Sequence, residues 1–105
     1  MKPLIVLTTL GENHDAHDLA NDLVEKRLAA CVNIVPRIQS VYRWQGSIER
    51  DDEQLLIIKT LEERLDELKS VLFARHPYEV PELVVIELDD LGDAYRDWLI
   101  DAVRG

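Results

Sequence analysis

The chain has 105 residues, enough for one hydrophobic core and too few for two domains. Hydrophobic residues make up 47% and charged residues 31%, which excludes a disordered chain, and a net charge of −9 excludes a nucleic-acid surface, whose affinity comes from Lys and Arg neutralising phosphates. The one cysteine, Cys31, leaves no intrachain disulfide and agrees with a reducing compartment.

Leu4-Ile5-Val6-Leu7 is a continuous apolar run, the pattern of a strand covered on both faces. The stretch beginning Met1-Lys2-Pro3-Leu4 is too short for a membrane span and lacks a small-residue cleavage site, so a cytoplasmic chain without a membrane partner is expected. After Gly11 the spacing of Ala16, Leu19, Ala20, Leu23, Val24 and Leu28 predicts a helix. Asn13 is its expected N-cap, Asp15 falls in the first turn, and Lys26 and Arg27 fall in the last. From Cys31 to Trp44 β-branched and aromatic residues predict a strand that Pro36 bends or bulges, because proline donates nothing to a ladder. Trp44-Gln45-Gly46-Ser47 reads as a hairpin turn, and Leu55-Leu56-Ile57-Ile58 as the returning strand, ending at Lys59-Thr60. Thr60 with Glu63 forms an expected capping box for a second helix with Leu61, Leu65, Leu68 and Leu72 as its stripe. That helix stops near His76, since Pro77 follows. Leu83-Val84-Val85-Ile86 is a fourth strand, and a short last helix carries Tyr95, Trp98, Leu99 and Ala102 on one face.

The order β-α-β-β-α-β plus a terminal helix is that of an α+β, ferredoxin-like sandwich, and residues 1–105 are expected to form one such domain. It implies a four-stranded antiparallel sheet with two helices on one face, leaving the other face without a helix of its own. The central hairpin, Cys31 to Thr60, is longer than so small a sheet can pair, and Tyr42 and Trp44 sit near its tip. Unpaired edges and exposed aromatics are usually covered, which predicts self-association.

The run Leu28-Ala29-Ala30-Cys31-Val32-Asn33-Ile34-Val35-Pro36 resembles the first signature of the CutA family of divalent-cation tolerance proteins. Ser40 to Glu49 resembles its hairpin signature; Leu56-Ile57-Ile58-Lys59-Thr60 and His76-Pro77-Tyr78-Glu79-Val80-Pro81-Glu82 match two more, and Tyr95 with Trp98-Leu99 matches the tail. The resemblance implies a ferredoxin-like homotrimer similar in architecture to PII-type signalling proteins, and tolerance or binding of divalent cations, copper especially. Cysteines have been proposed as copper ligands in some relatives. This chain keeps only Cys31, so one subunit has no polythiolate site.

Cys31 reads first as a buried core thiol, and second as a soft ligand for copper. His76, at a helix end, either complements the helix dipole or ligates a metal through its imidazole. In the functional reading Cys31 and His76 line a cleft between subunits, and Glu49, Lys59, Tyr78 and Glu82 supply its polar groups. His14 and Asp18, four residues apart, with His17 beside them, have chelating spacing but also the look of an ordinary acidic helix face. Tyr42 and Trp44 read as interface anchors before they read as a stacking pair. No phosphate loop, nucleophile elbow or closely spaced Cys/His zinc set is present, and a Cys31–His76 nucleophile pair has no identifiable oxyanion group, so no enzymatic activity is expected. The leading expectation is a cytoplasmic homotrimer that binds copper or another divalent metal ion and serves metal homeostasis. The alternative is a PII-like regulatory or scaffold trimer binding a small metabolite in its cleft.

Overall fold

Four strands and three helices follow one another in the computed structural model, which describes residues 2–105; Met1, where the N-terminal stretch begins, lies outside the described residues. They are β1 (Pro3–Gly11), α1 (Ala16–Glu25), β2 (Cys31–Trp44), β3 (Ser47–Leu61), α2 (Leu65–Arg75), β4 (Val84–Glu87) and α3 (Asp93–Arg104), with a 3-10 turn at Glu62–Arg64 leading into α2. The strands form one sheet in the order β2-β3-β1-β4, every neighbouring pair antiparallel. The expected α+β class and antiparallel sheet are therefore present.

Period-two alternation decides what each face of the sheet meets. Leu4, Val6 and Leu10 of β1 and Leu56 and Ile58 of β3 are buried, and most of them join Leu19 and Leu23 of α1 and Leu68 and Leu72 of α2 in one core. The residues between them, Ile5, Leu7 and Ile57, face the other way and are only half-buried. This corrects the expectation of a first strand covered on both faces: both long-sheet helices pack on one side, as antiparallel sheets allow. A second cluster of Ala30, Leu61, Leu99 and Val103 forms where α3 lies across one end of the open face.

Several predicted boundaries move for identifiable reasons. The N-cap of α1 is Asp15, whose carboxylate accepts from the Asp18 N–H at 3.0 Å, because β1 runs to Gly11 and the His14 N–H first closes a turn onto the Gly11 carbonyl. Lys26 and Arg27 lie just past the last turn. Leu28 N–H bonds the Leu23 carbonyl and Arg27 N–H that of Val24, a Schellman closure with Arg27 in the left-handed position at φ 58°. Thr60 is not a helix cap. The Glu62 N–H bonds the Lys2 carbonyl and prolongs the ladder, so β3 reaches Leu61 while the buried Thr60 hydroxyl donates to the Leu28 carbonyl at 2.7 Å. Leu61 accordingly packs with α3 and not with the α2 stripe. In α3 the buried residues are Leu99 and Val103; Tyr95 and Trp98 remain 39% and 47% exposed.

The bulge expected at Pro36 is present: Val35 pairs with Leu55 and Ile38 with Glu53, so Pro36 and Arg37 oppose Gln54 alone. Arg37 braces the bulge through Asp52 at 2.8 Å. Past Glu53, which pairs with the last residue of β1, no third strand remains. The hairpin continues as a two-stranded arm from Gln39–Asp52 to Trp44–Ser47, closed at Gln45 and Gly46 with both φ values positive. At about 3.4 Å per residue the arm projects roughly 20 Å.

Candidate functional site

The register assigns most of the candidate residues to the open face. Lys59 pairs with Ile5 on one side and Cys31 on the other, so all three project there, together with Leu7 and Ile57 of the next row. Glu53 follows at the far end of the same face. Glu49, Asp51, Tyr42 and Trp44 continue that face along the arm, whereas Val41 and Ile48 point to the opposite side and are 65% and 60% exposed. The result is one continuous surface, apolar in the middle and polar at its two ends.

At one end, Cys31 is half-buried and its Sγ lies 3.9 Å from Asn33 Oδ1, a weak contact. Lys59 Nζ sits 5.9 Å from the centroid of the Tyr95 ring, which in turn tilts against Trp98 at 5.3 Å. Among the described residues no carboxylate reaches Lys59 in an ion pair.

The other end is built by the segment after α2. His76 takes an extended backbone because Pro77 follows it, and this turns its ring under the chain. β4 pairs with β1 only from Leu4 to Leu7, and beyond that limit His76 Nε2 meets the Thr9 carbonyl at 2.8 Å. Its Nδ1 accepts the Tyr78 N–H at 3.1 Å, so the proton resides on Nε2, which donates to Thr9. Burial lowers the imidazole pKa, outweighing the opposing effect of the Thr9 bond. The Tyr78 ring stands edge-on to His76 at 4.8 Å, and its hydroxyl donates to Glu53 Oε2 at 2.7 Å. Burial first, and then this bond, push the Tyr78 phenol well above its ordinary range. Glu82 is also raised, by desolvation and then by repulsion from Glu53. On the arm, the Tyr42 hydroxyl bonds Asp51, which raises the phenol to about 12.

The six residues singled out from the sequence thus fall into three places. Tyr78 and Glu82 come together around Glu53, with His76 behind them. Cys31 and Lys59 lie at the opposite end, four residue steps along the strands from Thr9, or about 13 Å at roughly 3.3 Å per residue. Glu49 is out on the arm. Cys31 and His76 therefore do not meet within one chain, and both nitrogens of His76 are already engaged. Glu53, buried and central to the acidic end, escaped the sequence reading; its only signal was a carboxylate closing the run Asp51-Asp52-Glu53 before an apolar strand. The helix face with His14 and His17 has the bland character: Arg75 bridges Asp18 and Asp22, consuming the carboxylate that chelation would need. No group of three or more His, Cys, Asp or Glu side chains is arranged to hold a metal ion among the described residues, and no helix there is long and apolar enough to cross a membrane.

Residues 4–102 match the family model described as CutA1 divalent ion tolerance protein. The chain belongs to the CutA1 divalent ion tolerance family. It is 46% identical over 95 residues to the divalent-cation tolerance protein CutA of Thermus thermophilus, covering 90% of this chain and 92% of that one. It is 42% identical over 101 residues to the chloroplastic protein CutA of Arabidopsis thaliana, covering 96% of this chain and 56% of that longer relative. The solved structure of CutA from Synechococcus elongatus superposes with a TM-score of 0.92 at 44% identity, over 97% of this chain and 90% of the other. The family's divalent-ion connection gives the acidic end its interest: Glu53 and Glu82 repel each other, and a cation between two such carboxylates would relieve that repulsion.

Proposed function

We propose that this chain is one ferredoxin-like subunit of a homotrimer that binds divalent cations, copper foremost, in clefts between subunits. It acts as a cytoplasmic binding protein in metal homeostasis and not as an enzyme. The observation that carries this reading is the open sheet face: apolar at Ile5, Leu7 and Ile57, half-exposed, and prolonged by an arm bearing Tyr42 and Trp44. A two-stranded arm is marginal by itself, so a neighbouring copy is the natural support for it. Packing the Cys31 end of one copy near the acidic end of the next gathers Cys31, Glu53, Tyr78 and Glu82 into one cleft, within reach of the neighbouring arm and its Glu49. Cys31 supplies the soft ligand that copper favours, the carboxylates supply charge, and His76 holds Tyr78 in place; ligation by His76 itself requires its bond to Thr9 to open.

The test is calorimetric titration with copper at pH 7.5 and pH 6, alongside light scattering. Wild type is expected at three subunits per particle, with affinity falling at the lower pH because protons compete with the metal for its ligands. Cys31→Ser and Glu82→Gln should each weaken binding by about tenfold or more. A particle of one folded subunit, or copper affinity unchanged in both variants, overturns the proposal. Recovery of the chain in the cytosolic fraction of its cell is the expected result for compartment.

A further inference from the structure

The arm sorts its charges by side. Side chains alternate along both of its strands, so the pairs Ser40–Asp51, Tyr42–Glu49 and Trp44–Ser47 continue the open face. The pairs Gln39–Asp52, Val41–Arg50 and Arg43–Ile48 point the other way. The first side carries acids and aromatic rings; the second sets Arg43 and Arg50 beside Val41 and Ile48, both largely exposed. Arg37, at the base of that side, is neutralised by Asp52 at 2.8 Å. Arg43 and Arg50 have no carboxylate in ion-pair contact among the described residues. Glu49 and Asp51 lie on the same strands, but alternation turns them to the opposite side. Across the ribbon Arg43 and Arg50 are diagonal neighbours, roughly 7–8 Å apart at their backbones, so two like charges stand together unrelieved. A chain of net charge −9 thus holds an unpaired cationic patch near the tip of its arm. Salt screens charge over about 8 Å and the arm projects roughly 20 Å, so an approaching anion meets these guanidiniums outside the field of the acidic body.

We infer that the outer side of the arm is a docking surface for an extended acidic segment of another protein, one whose facing side chains alternate between carboxylate and apolar. Each strand offers the same order: Val41 and then Arg43 in β2, Ile48 and then Arg50 in β3, two residues or about 6.8 Å apart. An extended segment repeats its facing side chains at that interval, so a carboxylate meets each guanidinium while its apolar neighbour covers Val41 or Ile48. Arginine clusters recognise acidic motifs in this way, through bidentate pairs that need no enclosed pocket. A small anion would satisfy the arginines and leave Val41 and Ile48 in water; the apolar pair is what selects a peptide. This side of the ribbon is turned away from the open face, so subunit contacts on that face leave it uncovered.

The experiment is fluorescence anisotropy of the full-length protein with a labelled ten-residue peptide repeating Glu-Glu-Leu-Leu, which in extended form alternates acid and apolar side chains on each face. A dissociation constant of about 100 µM or tighter is expected in low salt, weakening several-fold in half-molar salt. Arg43→Glu and Arg50→Glu should each weaken binding by about fivefold or more, and Val41→Ser combined with Ile48→Ser by about threefold. Lys69→Glu on α2 changes net charge equally and should leave affinity within about twofold. Circular dichroism checks the folding of each variant. No binding by wild type, or arm variants no weaker than Lys69→Glu, overturns the docking surface. So does tighter binding of a ten-thymidine oligonucleotide, which assigns the arginines to phosphate. An altered particle mass of the arginine variants in sedimentation overturns it too, by assigning them to a contact between copies. Should a reversal fail to fold, Arg43→Gln together with Arg50→Gln replaces it; a loss of about fivefold is expected, and unchanged affinity overturns the proposal.

Discussion

The two faces of one sheet make the instructive contrast. On the helix side Val6, Leu56 and Ile58 are fully sealed by α1 and α2; one residue along each strand, Ile5, Leu7 and Ile57 are just as apolar and stay half-exposed. Strand periodicity supplies equal hydrophobicity to both faces, so the difference comes from where the connections run. Each βα crossover lays its helix on the same side, and only α3 reaches round to the other, covering no more than one end. The sealed face holds the subunit together. The open face keeps its apolar side chains half-exposed in the single chain.

The largest test of the contrast is truncation on either side of it. Leu56→Ala, at a fully buried position, should lower unfolding free energy by about 3 kcal/mol in urea denaturation at fixed protomer concentration. Ile57→Ala, its neighbour in sequence, should cost the folded subunit about 1 kcal/mol or less and appear chiefly as weakened assembly; equal effects of the two would erase the distinction between the faces. Next in size is Thr60→Val, which strands the Leu28 carbonyl in the sealed region and should cost about 1–2 kcal/mol by the same measurement.

A pH series sharpens the contrast at the acidic end. Burial lowers the His76 pKa in the folded chain below the ordinary imidazole value of 6.5, so the unfolded chain binds the extra proton first. Stability from this group is present above pH 6.5 and is lost as pH falls through the lowered folded value. Urea midpoints should therefore drop between pH 7 and pH 5.5, with a shallower drop in His76→Gln. Glu82 runs in the opposite sense: its folded pKa lies above the ordinary carboxyl value of 4.5, so its contribution declines as pH rises through that window. Glu82→Gln should remove this decline, seen as a higher midpoint relative to wild type at pH 7 than at pH 4. The smallest expected effect is on the outer side of the arm, where Ile48→Ser should change subunit stability by less than about 0.5 kcal/mol.

Much of this was legible along the chain. The alternation of strand and helix, the bulge at Pro36, the turn at Gln45-Gly46 and the stop before Pro77 all follow from local chemistry, because each depends on residues adjacent in sequence. The errors share a different cause. Thr60 looked like a cap until the Leu28 carbonyl, brought in from another element, claimed its hydroxyl. Tyr95 and Trp98 looked like the packed face of a helix that instead buries Leu99 and Val103. Arg27 fills a left-handed position usually reserved for glycine, and its guanidinium donates to the Ala102 carbonyl at 2.8 Å, a tertiary contact that no local pattern announces.

By itself, then, the sequence determined the order and type of the elements, the family, and the residue types available to a site, all of which are written in near-neighbour spacing and composition. Only the tertiary structure decided that Glu53 joins Tyr78 and Glu82, that His76 spends both nitrogens on the backbone, and that Cys31 and Lys59 lie at the far end of the same face. Those relations depend on strand register and on where β4 stops. Register is set by the packing of the whole sheet, and a shift of one residue would turn every one of these side chains to the opposite face.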